Sequence, residues 1–337
     1  MMVENKALDL IAEYMKFREK PDYELVIELQ KRDLLVRTED GTFTLRSTDD
    51  SELMHSRIGA LKEAFEKFAW PSQMAEIENP KLLDLCGGMG YNSLAALATK
   101  GNVKIHLLEY SKELLFLGSC LPLDLKEKAL FNRAVDDFLH EQVNNQISIF
   151  CGDARSTVPT LPNGYYDVVF HDGFSPANDP VLYSVEFLSL LKRKLNSKGI
   201  ILSYSSSIPF RRALVDAGFY IGEGPAVGRK RGITIGAVNS DDKRLVSRLP
   251  LHDEMLMALA TVGTPFRDPE LRATGEDIST RRELERAELR REGICLPVKK
   301  IKQNRIDPSY VKIAAEALDS RSAVLQLNNF LLTKKNK

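Results

Sequence analysis

The residues best placed to do chemistry lie in one glycine-rich run, Asp84-Leu85-Cys86-Gly87-Gly88-Met89-Gly90, which ends a short apolar stretch. A turn from strand to helix must bring backbone close to a ligand, and Gly87, Gly88 and Gly90 permit that approach. The helix after such a turn points its positive end at the same ligand. Glu109 follows about 20 residues later, near the end of a second apolar run, where a carboxylate can accept both hydroxyls of a ribose. Asp153, in Gly152-Asp153-Ala154, follows a third run and is placed to meet an adenine amine. A nicotinamide dinucleotide is disfavoured, because the GxGxxG fingerprint needs a glycine where this chain has Ser93. Asp84 instead suits a sulfonium ligand with an amino-acid tail, whose ammonium it can hold directly or through water. The expected cofactor is therefore S-adenosyl-L-methionine. A lone glycine-rich turn is a weak sign, and the weight rests on Asp84, Glu109 and Asp153 standing in register at successive strand ends.

A second constellation faces the substrate. A fourth apolar run enters His171-Asp172-Gly173-Phe174-Ser175-Pro176-Ala177. In a Rossmann-like methyltransferase this loop overlooks the transferred methyl. Asp172 can orient an attacking amine and take its proton, and Phe174 can stack on a base. Such residues also punctuate ordinary loops. Gly228-Arg229-Lys230-Arg231, with Arg211-Arg212 upstream, offers cations to phosphates, although a charge run is as often a solvated face. The same cations would repel a polyamine. No metal is expected: Cys86, Cys120, Cys151 and Cys295 show no CxxC spacing, and His55 and His171 have no ligand partners at metal spacing.

These residues need a scaffold to hold them. Apolar stretches at Lys81–Cys86, Val103–Tyr110, Ile147–Cys151, Tyr166–His171 and Gly199–Tyr204 read as strands. Helical patterns at 91–99, 111–119, 124–144, 180–196 and 208–217 alternate with them, and late strands fall near 219–222 and 233–238. That alternation predicts a Rossmann-like α/β fold with a mostly parallel seven-stranded sheet. Ahead of it, helical spacing over 7–19 and 56–69 brackets a hairpin at 33–46, whose turn is Glu39-Asp40-Gly41. Behind it, 250–293 reads as a charged helix, with Arg281, Arg282, Arg286, Arg290 and Arg291 among glutamates. The expected division is an extension over 1–75, the methyltransferase domain over 76–245 and a helical extension over 246–337. The 337 residues carry 47 basic and 47 acidic side chains, so partners must be read from local patches. No signal-peptide pattern and no apolar run of spanning length is present, so a cytoplasmic location is expected.

Linked motifs carry a family resemblance. Asp172-Gly173-Phe174-Ser175-Pro176-Ala177, Tyr204-Ser205-Ser206-Ser207, Arg211-Arg212, Ala217-Gly218-Phe219 and Gly228-Arg229-Lys230-Arg231 resemble the methyltransferase domain of the MnmC family. So do Asp40-Gly41-Thr42-Phe43-Thr44-Leu45 and Met54-His55-Ser56-Arg57-Ile58-Gly59-Ala60. The resemblance implies methylation of the aminomethyl group on C5 of the wobble uridine of tRNA, with S-adenosyl-L-methionine as donor. It makes Asp172 the substrate-orienting acid and Phe174 its pocket neighbour. It gives Gly87, Gly88, Gly90, Glu109 and Asp153 to the cofactor, beside the Asp84 read from its chemistry, and it makes the anticodon region of tRNA the partner for the cations Arg211, Arg229, Lys230 and Arg231. Fused members carry an FAD-dependent oxidase after the transferase. Too few residues follow about 240 here for that domain, so a stand-alone transferase is expected, with a separate enzyme supplying the aminomethyl group. The alternatives are a transferase of this fold acting on another RNA position or on a small amine.

Overall fold

The computed structural model describes residues 5–17, 23–46 and 53–335. Its strands are β1 (Leu35–Arg37), β2 (Phe43–Leu45), β3 (Lys81–Leu85), β4 (Lys104–Glu109), β5 (Ile147–Cys151), β6 (Tyr166–His171), β7 (Leu195–Ser203), β8 (Tyr220–Glu223) and β9 (Thr234–Ala237). β1 and β2 form the hairpin, and the other seven form one sheet in the order β5-β4-β3-β6-β7-β9-β8. The fold is the Rossmann-like α/β arrangement expected from the alternation of strands and helices.

The chain divides into two compact units. The first comprises Met1–Thr157, Tyr166–Asp172 and Pro225–Lys230. Within it β5, β4, β3 and β6 pair in parallel. Leu82, Leu83, Leu85, Ile105, Leu107, Val168, Val169 and Phe170 are fully buried, as continuous apolar strands covered on both faces must be. The predicted helix over 7–19 is observed as Asn5–Phe17, and residues 18 and 19 lie outside the described ones. The one predicted over 56–69 begins only at Ala60, because Gly59 holds φ 136°, and it continues as π-helical turns over Ala64–Ala69. The one predicted over 124–144 is limited to Lys128–Leu139.

The second unit comprises Val158–Tyr165, Gly173–Gly224 and Arg231–Lys337. Here β9 pairs antiparallel with both β7 and β8. The helix expected over 180–196 starts at Val185, where the Ser184 hydroxyl caps Phe187 N–H, and it yields to β7 at Leu195. The charged, helical stretch expected over 250–293 holds two helices, Leu251–Leu259 and Gly275–Arg291. Pro265 and Pro269 lie between them and cannot donate to a helical ladder. The second helix restarts on a capping box formed by Thr274 and Asp277. Among its residues only Ile278 is buried, and Arg286 and Arg291 pair with Glu283 and Glu288 along its solvated side. The helix Leu251–Leu259 packs against Ile208–Asp216 and against the last helix, Ser320–Lys335.

Candidate active site

The glycine run forms a turn at the carboxyl end of β3. The Gly87 N–H donates to Leu108 O at 3.1 Å, and the Gly90 N–H closes the turn on Gly87 O at 2.8 Å. Gly90 is irreplaceable for two reasons. Its φ is 84°, and an added Cβ would lie 2.2 Å from Phe131 Cζ. Gly90→Ala should cost roughly 2 kcal/mol or more from left-handed strain and overpacking. A thermal melt should show the loss, and cofactor binding should fall with it. Gly88 is different. Its φ is 52°, yet no atom stands nearer than 3.9 Å to its virtual Cβ, so it faces open space at the mouth of the turn. Cys86 adopts φ 61°, a conformation L residues rarely accept, and so stores strain beside the turn.

Glu109, at the end of β4, is oriented by backbone. Its Oε2 accepts from Gly88 N–H at 2.8 Å and its Oε1 from Ser111 N–H at 3.0 Å. Burial pushes its carboxyl up, and those two bonds pull it back. Asp84 is fully buried inside β3. Its Oδ2 accepts from the Ser93 hydroxyl at 2.6 Å, so the residue standing where a dinucleotide site has glycine is a lock on this carboxylate. Asp84 is raised to about 7, chiefly by burial and also by the charges of Asp172 and Glu109, against the Ser93 bond. Its Oδ1 is buried and has no hydrogen-bond partner among the described residues.

Asp172 follows β6, and its N–H donates to Leu85 O at 3.3 Å, so it sits at the end of β3 beside the turn. Its Oδ2 accepts from Asn92 Nδ2 at 2.8 Å. Burial lifts its carboxyl to about 6, while the Asn92 bond and the Lys67 charge act downward and Glu63 acts upward. Lys67 and Glu63 form a shielded ion pair at 2.7 Å. The amino-terminal extension thus reaches the site electrostatically. It also does so sterically: the Tyr91 hydroxyl donates to Phe43 O at 2.7 Å and accepts from Phe43 N–H at 3.0 Å, pinning β2 to the helix Tyr91–Thr99. His55 packs edge-on to Tyr91 at 5.3 Å, and its burial lowers it to about 4.

The charges of Asp172 and Glu109 both act on Asp84, so the carboxylates stand close to one another at the strand ends. The groups present fit S-adenosyl-L-methionine. Asp84 Oδ1 is an orphaned acceptor for an ammonium, Glu109 is preoriented for ribose hydroxyls, and Gly88 leaves room for a close approach. Asp153 lies after β5, and its carboxylate is engaged by Arg155, with Nη2 at 2.7 Å. Burial works against ionisation there, but the Arg155 bonds hold Asp153 below the usual carboxylate range. Among the described residues no cluster of His, Cys, Asp or Glu could hold a metal ion.

The residues expected to meet substrate are placed unevenly. Phe174 is half-buried in the second unit, in a loop where the Tyr183 hydroxyl donates to Gly173 O at 3.0 Å. Arg229 is half-buried and Lys230 exposed, both in the first unit, where the neighbouring Gly228 packs on Ile58. Arg231 is half-exposed but ion-paired with Asp253, and it donates to Ser206 O. Arg211 requires a correction. Its side chain is 0 % exposed and is spent on Asp253 at 2.7 Å, Glu223 at 3.1 Å and the Thr234 hydroxyl at 3.0 Å. It is an internal cation that welds the helix Ile208–Asp216 to Leu251–Leu259, and it offers nothing to a phosphate. Asn92 and the Ser93 hydroxyl were not singled out by sequence. The available signal was two polar residues in the first turn of an otherwise apolar helix, Leu94-Ala95-Ala96-Leu97.

Comparison with known proteins bears on the fold and the cofactor class. Residues 126–239 match a family model described as S-adenosyl-L-methionine-dependent methyltransferase. The chain is 40% identical over 343 aligned positions to the uncharacterized protein MJ0670 of Methanocaldococcus jannaschii, covering 97% of this chain and 96% of that one. It is 39% identical over 90 residues to the tRNA 5-methylaminomethyl-2-thiouridine biosynthesis bifunctional protein MnmC of Aromatoleum aromaticum, covering 27% of this chain and only 14% of that protein. The crystal structure of MnmC2 from Aquifex aeolicus superposes with a TM-score of 0.60 at 28% identity, covering 75% of this chain and 85% of that one.

Proposed function

We propose that this chain, which belongs to the MnmC-type family of S-adenosyl-L-methionine-dependent methyltransferases, methylates the aminomethyl group at C5 of the wobble uridine of tRNA to give methylaminomethyluridine. Its cofactor is S-adenosyl-L-methionine. The observation that carries the amine reading is Asp172: a carboxylate raised to about 6, at the mouth of the cofactor turn, held by Asn92. A group with that pKa is mostly ionised at neutral pH and still basic enough to receive a proton.

When bound, the cofactor supplies an electrophilic methyl on a cationic sulfur. Asp84, Glu109 and the backbone around Gly88 would hold it, and Asp153 would meet the adenine amine. Asp172 orients the amine and accepts its proton as the new N–C bond forms. The work of the pocket is orientation and exclusion of water, because the transfer consumes charge rather than creating it. The wobble base must leave its stack to be reached, and Phe174 is an aromatic ring on which a base can stack. Arg229, Lys230 and the exposed part of Arg231 meet anticodon phosphates. Among the described residues no helix is long and apolar enough to cross a membrane. A cytoplasmic enzyme, fed by another that makes the primary amine, fits this reading.

The test is label transfer from methyl-labelled S-adenosyl-L-methionine to tRNA carrying aminomethyluridine, against fully modified tRNA and spermidine as controls. Label confined to the aminomethyl tRNA supports the reading, and label in spermidine alone would replace it with a small-amine transferase. Arg229→Ala and Lys230→Ala should each weaken tRNA binding and reduce the slope of log affinity against log salt by about one, since each removes one phosphate contact. Filter binding across a salt series measures that slope, and an unchanged slope would remove these residues from the interface.

A further inference from the structure

We infer that Asn92 sets the product of the reaction: its side-chain carbonyl holds the second N–H of a primary amine whose first N–H is held by Asp172, so transfer stops after one methyl. The inference rests on the amine acceptor proposed above. Asn92 is 5% exposed on the first turn of the helix Tyr91–Thr99. Its Nδ2 donates to Asp172 Oδ2 at 2.8 Å. An ionised carboxylate only accepts, so this bond fixes which end of the amide is nitrogen. The other end, Oδ1, accepts no hydrogen bond among the described residues, and it is not sealed from solvent. A mostly buried residue thus keeps one strong acceptor unspent beside the proton acceptor of the site. An acceptor that solvent reaches is open to a ligand, and a substrate N–H is the partner this position suits.

A neutral primary amine has one lone pair and two N–H groups. Two fixed acceptors on the two N–H groups leave the lone pair only one direction, toward the methyl. As the N–C bond forms and the C–S bond breaks, the sulfur takes the bonding pair and Asp172 takes one proton. The product is a secondary amine with a single N–H. A second round would place an N-methyl group against either Asp172 or Asn92 Oδ1, and the one remaining N–H could serve only one of the two acceptors. That penalty slows the second transfer roughly tenfold to hundredfold.

The test uses the full chain, tRNA carrying aminomethyluridine and excess labelled S-adenosyl-L-methionine, followed by digestion and quantification of monomethyl and dimethyl nucleosides. The native enzyme should accumulate the monomethyl product. Asn92→Ala should slow the first transfer and raise the dimethyl-to-monomethyl ratio about tenfold or more. Asn92→Ser, which keeps a small polar side chain in the turn, should move the ratio in the same direction. Circular dichroism and cofactor titration establish that each variant is folded. Slowed variants that still make only the monomethyl product would reduce Asn92 to a positioning residue for Asp172 and overturn the inference. Complete inactivity with cofactor binding intact would also overturn it, because a lost acceptor costs less than that. A native enzyme that leaves the aminomethyl group unlabelled would sink the amine reading itself, and this inference with it.

Discussion

Asp172→Ala should reduce methyl transfer by about 10²- to 10⁴-fold while leaving S-adenosyl-L-methionine binding nearly unchanged, the range expected for loss of a positioned proton acceptor. The separation of the two effects follows from the contacts. Asp172 is held by Asn92 and by the Leu85 carbonyl, whereas Glu109 is held by Gly88 and Ser111. Removing Asp172 therefore leaves the ribose carboxylate in place. The pH profile supplies a second readout. With its carboxyl at about 6, Asp172 is ionised above that pH and becomes protonated as pH falls through it. Activity should thus carry an acid limb near 6, and Asp172→Asn should remove that limb along with most of the rate. If cofactor affinity and turnover fell together, Asp172 would belong to the cofactor site or to folding.

Asp84→Asn should make the cofactor-free protein more stable and the enzyme worse. Asp84 is raised to about 7 from an ordinary value of 3.8, chiefly by burial. Between those values the folded state keeps a proton that the unfolded chain has lost, so this group's contribution to stability declines as pH rises through the window. Above pH 7 the cost of holding the bare carboxylate reaches about 4 kcal/mol at most. The neutral amide avoids it. Thermal unfolding of the free protein should show Asp84→Asn gaining most near pH 8 and converging with the native chain near pH 4. Cofactor titration should show the reverse: a weaker complex, because the orphaned Oδ1 no longer offers a charge to the ammonium. A variant less stable than the native chain at pH 8 would contradict the assignment of Asp84 as a charge kept for a ligand.

The two outcomes differ in how much of them was legible in the sequence. Asp84, Glu109 and Asp172 could be read because each ends or closes a strongly apolar strand, and strand ends collect ligands in open α/β sheets. The strand pattern survived folding almost residue for residue at β3, β4, β5 and β6. What failed was the reading of isolated charge. Arg211 sits in sequence like a surface cation and is buried, while Arg231 keeps its surface position but is ion-paired. Their acid, Asp253, comes more than forty positions after Arg211, in a segment read as a separate extension. Pairing at that separation is a property of tertiary packing and leaves no local trace. The 250–293 stretch is helical at both ends, and Pro265 and Pro269 lie in the break between its two helices. Asn92 shows the opposite case: a polar residue among Leu94, Ala95, Ala96 and Leu97 was visible, but only the fold brings it to Asp172.

The most direct measurement is mass spectrometry of nucleosides digested from tRNA after incubation with the protein and methyl-labelled S-adenosyl-L-methionine, using tRNA from cells that accumulate aminomethyluridine. Conversion to labelled methylaminomethyluridine by the native chain, abolished by Asp172→Ala, is the predicted result. Cofactor bound tightly with no methylaminomethyluridine formed would contradict the proposed substrate and leave a methyltransferase whose acceptor lies elsewhere.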